Sequence, residues 1–247
     1  MTDILDEIYE SGTVLTPEGV RKPLHSAVNR LEGQFLEGLI HDDPSIRNVL
    51  EIGCAYGLSS LHILRGLAGR DGAHHTIVDP FQHEMWEGIG IANIERAGLT
   101  GYSLVEERSE VLLPQLAAQQ PGSFDLIFID GWHTFDHTLV ELFFANLMIR
   151  EGGYIVVDDC SFSSVAKAVS YLEHYPAYTI HRQSPTTREP KRLAASLLHR
   201  LLPEPIAGAV LPRTVYDRIY VRTMFSTMVA LQKVAPDERD WDWFAPF

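Results

Sequence analysis

The chain has 247 residues, 45% of them hydrophobic and 21% charged, which describes a folded globular protein with enough apolar material for a full core and excludes a disordered one. Its 33 acidic residues against 20 Lys and Arg leave a formal charge of −13, so phosphate backbones and anionic lipid are repelled and neither nucleic acid nor a membrane is an expected partner. Cys54 and Cys160 lack a Cys-x-x-Cys spacing, the start (MTDILDEIYE) is acidic, and no run of about 18 apolar residues occurs; a reduced, cytoplasmic setting without a membrane span is expected.

From residue 25 onward, short apolar runs alternate with amphipathic stretches, the signature of a parallel sheet with helices on both faces. Spacing predicts a helix over 26–41, its apolar stripe formed by Val28, Leu31, Phe35, Leu36, Leu39 and Ile40, stopped by Asp42-Asp43-Pro44. Strands follow at NVLEIG, HHTIVD, YSLVEE, FDLIFID and YIVVDD, separated by helices at GLSSLHILRGL, GIGIANIERAG, EVLLPQLAAQ and HTLVELFFANLMIREGG, the last stopped by its glycines. After a helix at SSVAKAVSYLEHY come strands AYTIHR and FSTMVALQKV. The prediction is therefore an α/β fold, one domain over 1–247, with a doubly wound, mostly parallel sheet of seven strands. About forty residues, 183–224, lie before the last strand and hold a basic helix candidate with a leucine face (Leu193, Leu197, Leu198, Leu201, Leu202). They read as a lid, a dimer arm or a substrate wall, with a surface loop as the alternative; a homodimer is compatible with the sequence.

Four stretches carry chemistry. In LEIGCAYGLSS, Glu51 and Gly53 end the first strand and Gly57 opens the next helix, where glycines admit a ligand close to the backbone and free N–H groups attract an anionic group. The spacing is E-x-G-x-x-x-G and not the G-x-G-x-x-G of a dinucleotide site, which disfavours a dehydrogenase. Asp79 ends the second strand where a carboxylate can hold a ribose diol, or can merely cap the following turn. FDLIFIDGWHTFDH and GGYIVVDDC each run an apolar strand into acids, so two strand ends converge on one acidic place.

With EGQFLEGLI, LEIGCAYGLSS, RSEVLLPQL, IDGWH and VVDDC in this order, the chain from Val28 to about residue 174 resembles the class I S-adenosylmethionine-dependent O-methyltransferases, in their divalent-metal branch. It is similar to catechol and caffeoyl-coenzyme A O-methyltransferases and to bacterial enzymes that methylate antibiotic sugars. The resemblance implies a Rossmann-like methyltransferase fold with S-adenosylmethionine as cofactor. It places Glu51 and Gly53 at the methionine amino group, Ser59 at its carboxylate and Asp79 at the ribose. Ser109 falls at the adenine edge, Trp132 against the adenine ring, Asp130 beside the cofactor, and Val28 closes the pocket from the N-terminal side. It further implies that Asp130, Asp158 and Asp159 bind Mg²⁺ or another divalent cation, an oxygen-rich set that suits a hard ion. Asp159 departs from the asparagine found there in the catechol enzymes.

His133 stands where the catechol enzymes place a lysine base, and an imidazole with an unperturbed pKa near 6.5 suits proton removal at neutral pH. His137, Asp136 and His25 are weaker candidates, and His74 and His75 belong to a strand start. The expected reaction is methyl transfer to a hydroxyl of a small molecule: a sugar, a polyketide or a phenolic natural product. Two rivals stay open: a metal-independent N- or O-methyltransferase using His133, and a non-catalytic S-adenosylmethionine-binding protein. The acceptor is expected near the N-terminal stretch, FQHEMWEG, the 183–224 insertion and the tail WDWFAPF.

Overall fold

The computed structural model describes residues 3–184 and 227–245. Most of the 183–224 stretch, including its helix candidate, lies outside the described residues. Among the described residues no helix is long and apolar enough to cross a membrane.

The strands that build the main sheet are β3 (Asn48–Ile52), β4 (His74–Val78), β5 (Tyr102–Val105), β6 (Phe124–Ile129), β7 (Ile149–Val157), β8 (Tyr178–Gln183) and β9 (Val229–Lys233). Their order is β5-β4-β3-β6-β7-β9-β8, with β9 the antiparallel member. This is the predicted doubly wound, mostly parallel sheet. Its central strands are apolar on both faces because both are covered. Helices α2 (Arg30–Asp42), α3 (Leu58–Leu67) and α4 (Ile89–Arg96) bury Leu36, Ile40, Leu61 and Ile94 against one face. Helices α5 (Ser109–Gln119), α6 (Phe135–Met148) and α7 (Ser163–Glu173) bury Leu113, Leu142, Val165 and Val169 against the other.

Three expectations need correction. The first helix begins at Arg30, four residues later than its periodicity implies: Asn29 accepts from the N–H groups of Leu31 and Glu32 while Glu32 Oε2 accepts from Asn29 N–H, a reciprocal cap. Val28 consequently belongs to the incoming chain, and Leu31, placed on the apolar stripe, is 62% exposed. The predicted helix over 137–153 ends at Met148, and β7 begins at Ile149. Gly152, a helix stop by sequence, adopts φ +78° where the β6–β7 register slips between Phe124 and Leu126, so the glycines serve a β-bulge.

The N-terminal stretch, where no element was predicted, forms α1 (Ile4–Ser11) and a ribbon of β1 (Thr13–Leu15) with β2 (Arg21–Pro23). Asp3 caps α1 and Leu5 and Ile8 bury its inner face. Tyr9 Oη donates to the Val28 carbonyl at 3.2 Å, so this helix fixes the segment that borders the cavity described next. In the tail, Trp243 packs on Tyr171 and Tyr175 with the Arg239 guanidinium over the Tyr175 ring, whereas Trp241 is exposed.

Candidate active site

The parallel ladder delivers the strand ends together. Ile52 pairs with Ile129 and Ile129 with Val157, so the residues that follow, Gly53, Asp130 and Asp158, leave the sheet side by side. Above them lies a cavity of about 870 Å³ at the carboxyl edge of β3, β4, β6 and β7. This is where doubly wound sheets place ligands, because the strand order reverses there and the loops diverge.

Backbone geometry shapes its floor. Gly53 has φ +91°, and a Cβ there would lie 2.0 Å from the Asp130 carbonyl, so only glycine lets these two strand ends approach. Helix α3 starts at Gly57 with no side-chain cap, which leaves its first N–H groups available to an anionic ligand beside Leu58 and Ser59, both lining the cavity. Asp79 also lines it, yet its carboxylate already accepts from Cys54 and Ala55 N–H at 3.1 and 2.9 Å through Oδ2 and from Phe81 N–H at 2.9 Å through Oδ1. Asp79 therefore pins the glycine turn and keeps little acceptor capacity for a diol.

The acidic end centres on an imidazole. His133 Nε2 lies 3.4 Å from Asp130 Oδ1 and 3.2 Å from Asp159 Oδ2, and one ligand atom from each of the three residues falls within 4.8 Å of the others. Asp159 reaches this position through a left-handed backbone, φ +52°, a conformation that costs energy for any residue with a Cβ and is least costly for Asn and Asp. The Asp130 hydrogen bond, with Asp159 adding to it, raises the His133 pKa despite partial burial. Burial raises Asp130 to about 6, against the pull of His133. Asp158, 6% exposed, is pushed well above the carboxylate range, first by burial and then by Asp130 and Glu32; its Oδ1 accepts the Asp159 N–H at 2.7 Å. The cluster is short of positive charge.

Of the residues expected to form the site, Val28, Gly53, Ser59, Asp79, Ser109, Asp130, Trp132, His133, Asp158 and Asp159 all line this one cavity. Glu51 and Gly57 do not. The Glu51 carboxylate lies on the penultimate residue of β3, beneath α3, where Ser60 Oγ donates to it and His75 Nε2 stands 3.1 Å away; all three side chains are buried. Gly57 instead meets α4: a Cβ there would be 2.7 Å from the Gly90 carbonyl. Of the expected acids, Asp130 and Asp159 stand within reach of His133, and Asp158 lines the same cavity next to Asp159. Glu141 and Glu32 were missed. Glu141 is a lone acid in the apolar α6 run LVELFF, the signal that marks it; Glu32 is hidden by its second role as a helix cap. Met85, Trp132 and Phe162 are exposed large apolar side chains that line the cavity, as does Trp86, which packs on Tyr56 and His25.

Residues 50–160, which hold these strand ends, match the family model described as a methyltransferase domain. Over this segment the chain is similar to methyltransferase domains. A catechol O-methyltransferase of Niastella koreensis is 32% identical over 106 residues, 42% of this chain and 46% of that protein, so the chain spans a little under half the length of the curated relative it matches. The chain shares its fold with an O-methyltransferase from Bacillus cereus solved in complex with SAH (TM-score 0.59, 20% identity, 74% of this chain and 85% of that one). It shares it too with TomG of Streptomyces achromogenes, an O-methyltransferase involved in tomaymycin synthesis and solved with SAM (TM-score 0.58, 17% identity, 85% and 82%).

Proposed function

We propose that this protein transfers the methyl group of S-adenosylmethionine to a hydroxyl of a small molecule, with a divalent cation held by Asp130 and Asp159 beside His133. The supporting observation is that one cavity contains both the uncapped α3 start with its glycine turn and the Asp130–His133–Asp159 cluster. The donor set fits a cation. Asp130 and Asp159 offer carboxylate oxygens close enough for a single ion to be held between them, with His133 beside them, and Asp158 adds a buried carboxylate next to Asp159.

A bound cation would lower the pKa of the acceptor hydroxyl and fix its approach. His133 takes the hydroxyl proton at Nε2. A cation on the two carboxylates would offset the charge that holds a proton on His133, leaving the imidazole the lone pair that a base needs. Ser59 and the α3 N–H groups bind the amino-acid end of the donor. Met85, Trp132 and Phe162 give the cavity an apolar wall, which supports an acceptor with a ring or hydrocarbon body: a phenolic, polyketide or sugar natural product.

A second assignment has its own observation. His133 Nε2 already bridges Asp130 and Asp159, so the carboxylates can raise the basicity of the imidazole with no cation at all. Turnover assays following S-adenosylhomocysteine release, run against hydroxylated acceptors with chelator or with Mg²⁺, separate the two. Activity that persists in chelator selects the cation-free mechanism. A protein that neither binds S-adenosylhomocysteine nor releases it with any acceptor overturns both.

A further inference from the structure

Glu141 is unusual for its place. It sits on α6 among Leu139, Val140, Leu142 and Phe143, is 1% exposed, and lines the cavity. Its Oε1 accepts the Ser109 hydroxyl at 2.7 Å, and its Oε2 has no hydrogen-bond partner among the described residues. A buried carboxylate left half-satisfied is costly relative to an apolar residue at the same helix position, so packing alone gives no reason for it. Glu141 Oε1 also lies 3.0 Å from where a Cβ on residue 131 would be, so the absence of a side chain at Gly131 leaves the carboxylate its room beside the cavity floor.

Its position relative to the chemistry follows from the topology. The Asp130–His133–Asp159 cluster stands over β6 and β7, and the reacting methyl group belongs there. The cavity continues across β3 and β4 to Ser109, which opens α5 directly after β5. A donor with its sulfonium at the cluster must lay its nucleoside toward that β4–β5 side. A serine hydroxyl carries one proton and two acceptor sites. Here the proton is committed to Glu141, so toward the cavity Ser109 can only accept.

We propose that Glu141 is a positioning residue for cofactor recognition: by holding the Ser109 proton it makes Ser109 an acceptor for the exocyclic amine of adenine and excludes purines with an oxo group there. This rests on the methyltransferase assignment and refines it. Burial raises Glu141 to about 7, so the carboxylate form that imposes this orientation is complete only in mildly alkaline solution.

The test is calorimetric titration at about pH 8 of S-adenosylhomocysteine and of S-inosylhomocysteine, which has an oxo group in place of the amine. Wild-type protein is expected to prefer the adenosyl compound by at least about tenfold, since a buried acceptor facing a second acceptor is left unpaired. Glu141→Ala frees the hydroxyl to rotate and donate, so the preference should fall to within about threefold, chiefly through tighter inosyl binding. Glu141→Gln, whose amide oxygen can still take the proton, should retain most of it. Equal binding of the two compounds by the wild type, or an undiminished preference in a folded Glu141→Ala, overturns the assignment alone. Should that variant fail to fold, Ser109→Ala decides: an unchanged preference overturns it. A wild type that binds neither compound removes the methyltransferase assignment itself, and this one with it.

Discussion

Two titrating side chains, Glu141 and His133, make the site's demands measurable. Glu141 rises from an ordinary value of 4.5 to about 7 because burial penalises its charge. Between those values the native state binds a proton that the unfolded chain has released, so its contribution to stability is complete below 4.5 and is lost as pH climbs to about 7. Glu141→Gln should therefore raise the urea midpoint at about pH 8, with a gain of about 1–3 kcal/mol that shrinks toward pH 5. A midpoint that falls at alkaline pH would show that the carboxylate has found compensation. His133→Ala should lower kcat by about 10²–10⁴-fold while the Kd for S-adenosylhomocysteine moves by less than about threefold. Rate measurements at saturating acceptor check this, and an unchanged kcat removes His133 as base. At this scale the convergence of Asp130, His133, Asp158 and Asp159 on one cavity was legible, because each follows a strand within a short motif. Glu51 was not, because a motif gives no direction for a side chain, and Ser60 draws this one inward.

At the scale of elements, backbone conformation decides where strands stop and loops touch. Gly53→Ala places a methyl group 2.0 Å from a backbone carbonyl at a φ that L residues avoid. The expected loss is at least about 3 kcal/mol by urea unfolding, with S-adenosylhomocysteine binding weakened in whatever protein still folds. A loss under about 1 kcal/mol would mean that the two strand ends can separate without cost. The glycine pair at 152–153 shows why element boundaries were less legible than elements. A run of apolar residues ending in Gly-Gly looks the same whether it stops a helix or bulges a strand, and the choice lies in the partner strand β6. The start of α2 is a similar case, since the apolar spacing continues upstream through Val28 while the reciprocal cap at Asn29 and Glu32 sets the first turn.

On the scale of the whole molecule, the cavity joins loops that follow five strands, β3 to β7, so ligand binding should report on global stability. Saturation with S-adenosylhomocysteine at about 100 times its Kd should add about 2.7 kcal/mol and raise Tm by roughly 5–10 °C for a chain of this length. Divalent cations should raise it further through the acidic cluster, and chelator should reverse that increment alone. A Tm indifferent to cations would favour the cation-free use of His133.

The sequence by itself determined the doubly wound sheet, the strand ends that carry the chemistry and the methyltransferase resemblance, because hydrophobic periodicity and contiguous motifs are local properties of the chain. Only the tertiary structure decided that His133 stands within reach of both Asp130 and Asp159, that Glu51 turns away under α3, and that Glu141 reaches Ser109 from another helix. Those outcomes depend on how helices pack over the sheet, and packing sets distances between residues that no sequence spacing encodes.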